Sequence, residues 1–109
     1  MTIKLPPVIQ KYVAVSNQHD VKSILACFSD DPVVRDEGKE FRGKEMIEGW
    51  IVKTIEKYKF HFKPLSTEEH GAKTILSMEV SGSFPGSPIA LDYHFTIAND
   101  KIQSLIIDS

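Results

Sequence analysis

The stretch FSDDPVVRDEGKEFRG, Phe28 to Gly43, is where the chain changes its hydrophobic period. Before it, apolar residues recur at helical spacing; within it, Val33 and Val34 open an alternation of two, and Pro32 keeps the residue before it out of the helical region. Asp30-Asp31-Pro32 is therefore expected to end a helix. Val33-Val34 begins a strand that carries Arg35 and Asp36, turns through Glu37-Gly38-Lys39 and returns along Glu40 to Arg42.

Two helices are expected on the N-terminal side. Pro6-Pro7 suits a first helical turn, with Val8, Ile9, Tyr12, Val13 and Ser16 following at helical spacing up to the polar turn Asn17-Gln18-His19. Asp20 reads as an N-cap, and Val21, Ile24, Leu25 and Phe28 fall on one face of the second helix. On the C-terminal side a third helix starts after Gly43, with Ile47, Trp50, Ile51, Ile55 and Tyr58 on a common face. The remainder reads as strand: Phe60 and Phe62; Leu76, Met78, Val80 and Phe84; Ile89, Leu91, Tyr93, Phe95 and Ile97; and Ile102 to Ile107. Turns at Glu69-His70-Gly71, Phe84-Pro85-Gly86-Ser87 and Ala98-Asn99-Asp100 separate them. The expected architecture is one α+β domain over residues 1–109, three helices in its first half packed on a strongly bent antiparallel or mixed sheet.

Composition excludes several classes of function. A chain of 109 residues supports one core, and 41% hydrophobic with 26% charged residues is the balance of an ordinary folded domain. The net charge of −2 comes with no basic stripe, so no nucleic-acid partner is expected. The single cysteine, Cys27, cannot form an intrachain disulfide and reads as a small buried residue. The start, MTIKLPP, lacks the apolar core of a signal peptide, and no run is long enough to cross a bilayer, so the expected location is cytoplasmic, with no membrane partner.

Phosphate loops, nucleophile elbows and HExxH are absent, and His19, His61, His70 and His94 show no ligand spacing on one element. Neither a metal nor a cofactor is expected. What remains is a set of polar residues placed among apolar ones. Asp36 shares a strand face with Val34, while Asp92 and His94 share a face with Ala90 and Thr96. The opposite face of that last strand, Ile89, Leu91, Tyr93, Phe95 and Ile97, is wholly apolar. Periodicity alone leaves open whether Asp92 and His94 face water or a cavity.

The segment VIQKYVAVSNQHDVKSILACFSDDPVVRDEG, Val8 to Gly38, resembles the opening of ketosteroid isomerase, a member of the nuclear transport factor 2-like superfamily that also holds the SnoaL-like polyketide cyclases. The matching residues are Tyr12, Asn17, Asp20, Phe28, Asp30, Asp31 and Asp36, and PIALDYHFTIANDKIQSL is similar to the family's later strands. The resemblance implies a cone-shaped roll and an apolar pocket, with Asp36 as general base and Tyr12 and Asp92 as oxyanion-hole donors. That pairing of a phenol with a protonated carboxyl is ketosteroid isomerase's own and is carried over here. His94, two residues beyond Asp92, would face the same pocket and would suit a cyclase or dehydratase. Val34, Trp50, Met78 and Leu105 are expected to line the pocket. The implied substrate is a small apolar carbonyl-containing molecule, the competing reading being a non-catalytic binding module on the same fold. If Asp92 and His94 point into the cavity, the apolar face of their strand points outward, and a homodimer is expected to cover it.

Overall fold

The change of period at Phe28–Gly43 marks a real boundary between helices and sheet. The computed structural model describes residues 4–108. Helix α1 (Pro7–Asn17) and helix α2 (Val21–Ala26) precede strands β1 (Phe28–Asp36) and β2 (Lys39–Arg42). Helix α3 (Gly43–Tyr58) then leads into β3 (His61–His70), β4 (Lys73–Ser81), β5 (Ile89–Ala98) and β6 (Lys101–Asp108). The strands form one curved, unclosed sheet in the order β2-β1-β6-β5-β4-β3. Only the β1–β6 pair is parallel, so the sheet is mixed.

Local chemistry accounts for most boundaries. Pro7 occupies the first turn of α1, and the Asp20 carboxylate caps α2 by accepting from the Ser23 backbone N–H at 3.2 Å and its hydroxyl at 2.7 Å. The turn joining β1 to β2 has both Glu37 (φ 53°) and Gly38 (φ 74°) in the left-handed region, the conformation that matches the twist of a tight hairpin. Asn17 lies just where α1 ends and pairs its side-chain amide with the backbone of Phe62, donating to the carbonyl at 2.9 Å and accepting from the N–H at 2.7 Å. Helix and sheet are thereby tied together across the chain.

Several boundaries differ from expectation. Helix α2 stops at Ala26 rather than reaching Phe28, and β1 begins at Phe28 rather than Val33. Phe28 pairs with Ile102 of β6 and is fully buried, while Asp30-Asp31-Pro32 is absorbed where the register shifts between Phe28 and Val33. Burying an aromatic ring against the sheet outweighs one more turn of a short helix. Phe84 lies in the loop after β4, which ends at Ser81.

The inner face of the sheet is apolar and covered by the helices. Val34, Leu105, Phe95 and Thr74 stand side by side on β1, β6, β5 and β4, each at or near zero exposure. Ile9 and Tyr12 of α1, Ile24 of α2 and Ile47 and Ile51 of α3 are buried with them in one core.

Candidate functional site

Beyond that covered row the helices and sheet diverge, and a cavity of about 290 Å³ opens between them. Its sheet wall is Val80 of β4, Ile89, Leu91 and Tyr93 of β5 and Ile107 of β6. Its helix wall comes from Tyr12 and Ser16 of α1 and from Trp50, Ile51, Thr54 and Tyr58 of α3. Asp36, the last residue of β1, closes one side.

Asp36 owes its place to strand parity. Val34 is buried inward, Arg35 turns outward to pair with Glu40 across the hairpin, and Asp36 turns inward again at the cavity. The indole N–H of Trp50 donates to its carboxylate at 3.0 Å. Burial pushes the Asp36 carboxyl above the ordinary aspartate range, the Trp50 hydrogen bond opposes that shift, and the neighbouring Glu37 charge adds to it. The result is a carboxylate of increased basicity held in one orientation inside an apolar chamber.

Two buried phenols share this chamber. Tyr12 is buried against Phe28 and Phe95, edge to face, and Tyr93 packs between Phe62 and Phe95. Burial raises both hydroxyls well above the ordinary tyrosine range, and the Asp36 charge raises each further. Both therefore stay protonated as hydrogen-bond donors. At the mouth, the Tyr58 hydroxyl donates to Glu37 Oε1 at 2.6 Å, and its ring meets Phe84 edge to face at 5.7 Å.

Of the expected site residues, Tyr12, Asp36 and Trp50 come together at the cavity. Asp92 and His94 do not. The apolar face of β5 points inward, with Tyr93 and Phe95 buried, so the alternate residues Asp92 and His94 lie on the outer face of the sheet. β5 is a central strand beneath the helices, and burying its apolar side is the stronger demand. The same reversal removes the outward apolar patch on which the expected homodimer rested. Val34, Met78 and Leu105 are each fully buried in the core, because the helices cover their stretch of the sheet, and they do not line the cavity.

On the outer face Asp92 is directly opposite Asp108, and His94 Nε2 lies 3.3 Å from Asp108 Oδ1. One ligand-type atom from each of the three falls within 4.8 Å of the others. Sequence reasoning missed the polar cavity residue Tyr93, among other lining residues, and the role of Trp50 as a donor to Asp36. Tyr93 carries a signal in the sequence, since it is the polar-tipped member of the apolar face of β5.

The fold and this cavity define an α+β roll of the nuclear transport factor 2-like class. Residues 9–105 match the SnoaL-like domain family, and the chain belongs to that family. A crystal structure of a Sinorhizobium meliloti protein described as a candidate polyketide cyclase is similar at 34% identity, with a TM-score of 0.92 over 95% of each chain. A Catenulispora acidiphila protein with a ketosteroid isomerase-like fold, solved with trimethylamine, aligns at 18% identity and a TM-score of 0.85, over 97% of this chain and 87% of its own. An epoxide hydrolase/cyclase-like enzyme of pyran ring formation in the polyether salinomycin aligns at 17% identity and a TM-score of 0.83, over 94% and 87%. No curated protein matches the chain in sequence. Among the described residues no helix is long and apolar enough to cross a membrane.

Proposed function

We propose that the chain is an enzyme that removes a proton from the carbon next to a carbonyl in a small apolar molecule. Asp36 is the base, and Tyr12 and Tyr93 hold the oxygen on which negative charge develops. The observation that carries this reading is the Asp36 carboxylate itself, raised in basicity by burial and oriented by the Trp50 N–H at a largely apolar cavity. A general base works best when its pKa approaches the working pH, and donors aimed at the developing oxyanion act most strongly where water is excluded.

The proton moves from the carbon to Asp36, and the electron pair delocalises onto the carbonyl oxygen facing the phenols. If the proton returns at a different carbon, the reaction is an isomerisation. If the enolate carbon attacks a second carbonyl in the same molecule, it is a cyclisation. The similarity to the Sinorhizobium meliloti protein, at 34% identity, favours cyclisation as the overall outcome. Both begin with the same step, and neither uses His94, which faces away from the cavity.

Exchange of the α-protons of 2-tetralone into deuterated water, followed by NMR, tests the common step. The protein is expected to accelerate it, and Asp36→Asn to reduce the acceleration by roughly 10²–10⁴-fold. Absence of acceleration, or an Asn variant equal to the wild type, would assign the cavity to ligand binding without catalysis.

A further inference from the structure

A second cavity of about 280 Å³ adjoins the first. Asp36, Glu37, Trp50, Thr54 and Tyr58 line both. Their chemistry differs sharply. The phenols Tyr12 and Tyr93 lie only on the first, whereas Lys39, Lys53 and Lys57 lie only on the second. Asp36 thus borders both the cavity that holds the two buried phenols and the cavity that holds the three ammonium groups.

All three lysines are exposed, and Lys57 Nζ lies over the Tyr58 ring, 5.1 Å from its centroid. Lys53 and Lys57 stand one turn apart on α3, where like charges repel, and Lys39 faces them from the β1–β2 hairpin. Among the described residues none of the three forms an ion pair, whereas Arg35 and Arg42 both pair with Glu40. The acidic groups on the second cavity are Asp36, already engaged by Trp50, and Glu37, already accepting from Tyr58. Three lysines against two carboxylates leave one positive charge uncompensated, the complement of a monoanion. Phe41 and Trp50, with ring centroids 6.2 Å apart, supply an apolar lining leading to the lysines.

We propose that the second cavity binds a carboxylate on the substrate, so that the enzyme acts on an apolar carbonyl compound whose far end is a carboxylic acid. The inference rests on the reading of Asp36 as the base. It adds a substrate class: the carbonyl end reaches the phenols, the reacting carbon lies beside Asp36, and the carboxylate lies among Lys39, Lys53 and Lys57. The lysines anchor the substrate along the axis that brings its carbon to the base.

Calorimetric titration with 6-hydroxy-2-naphthoic acid and with its methyl ester tests this, the naphthol standing in for an enolate. At about 20 mM salt the acid is expected to bind roughly fivefold more tightly than the ester, the scale of one well-placed exposed ion pair. The preference should disappear near about 500 mM salt, where screening is strong. It should also disappear in Lys39→Gln/Lys53→Gln, with the affinity for the ester unchanged. An ester that binds as well as the acid, a preference that survives loss of the lysines, or no binding of either probe would overturn the proposal. So would tighter binding of 6-hydroxy-2-naphthyl phosphate than of the acid, which would assign the lysines to a dianion. A protein that exchanges the protons of 2-tetralone but shows no preference for the acid loses this proposal alone. One that prefers the acid but does not catalyse exchange keeps the anion site and loses the base.

Discussion

Asp36 combines a cost to folding with the basicity on which the proposed reaction depends. Burial raises its pKa in the folded protein above the unfolded value of about 3.9. Ionising it therefore destabilises the fold: the penalty is complete above the folded pKa and disappears once pH falls below the unfolded one. Asp36→Asn, which retains an oxygen for the Trp50 N–H, is expected to melt at a higher temperature than wild type at neutral pH. The difference should shrink as pH is lowered through the folded pKa, as scanning calorimetry at several pH values would reveal; an Asn variant less stable at neutral pH would contradict it. Activity should have the opposite dependence, rising with pH as Asp36 ionises and levelling off above. Trp50→Phe removes the hydrogen bond that lowers this pKa, so the rising limb of the pH–rate profile should move to higher pH. A similar argument covers the phenols. If both phenols donate to one oxygen, as proposed, Tyr12→Phe and Tyr93→Phe should each weaken binding of a naphtholate by about 10-fold or more, with a less than additive loss in the double variant.

At the scale of elements, the mouth of the cavity depends on how the end of α3 meets the loop after β4. The Ser83 N–H donates to the Tyr58 carbonyl at 2.7 Å, and a Cβ added at Gly82 would lie 2.3 Å from that same oxygen. No side chain other than hydrogen fits there. Gly82→Ala is expected to cost roughly 1–3 kcal/mol in chemical denaturation and to weaken ligand binding, because Tyr58 and Phe84 form the rim. Lys59, which ends α3 in the left-handed region at φ 47°, presents the converse case. Lys59→Gly should stabilise the protein by roughly 0.5–1 kcal/mol, since glycine adopts this conformation without a Cβ clash. These elements were legible from spacing and turn chemistry. Their junctions were less so: Phe28 fits the periodicity of α2, and only its pairing with Ile102 makes it a strand residue.

For the whole molecule, the cavity is what remains where a curved sheet and three helices cease to touch. An occupant contributes contacts that the empty protein lacks, so an apolar ligand at 100 times its Kd should stabilise the fold by about 2.7 kcal/mol. Thermal melts with 2-naphthol would detect the shift. Leu91→Trp, filling the cavity from β5, should abolish it, and a shift that persists in that variant would locate the ligand elsewhere. The outer face of the sheet has a different character, with Arg35, Glu40, Asp92, His94 and Asp108 around Ile106. Its polarity follows from the inward turn of the apolar side of β5.

The sequence by itself determined the elements, because helical and strand periods are local and survive without any knowledge of neighbours. It also determined that Asp36 shares a face with Val34 and that β5 has one apolar and one polar side. Tertiary structure decided which side of β5 is covered. Alternation defines two faces equally well whichever way a strand is turned, and only the helices packed over the sheet make one of them interior. That choice placed Tyr93 beside Tyr12 and Asp36 and sent Asp92 and His94 to the surface, while the packing of α3 on the hairpin brought their lysines to a common cavity.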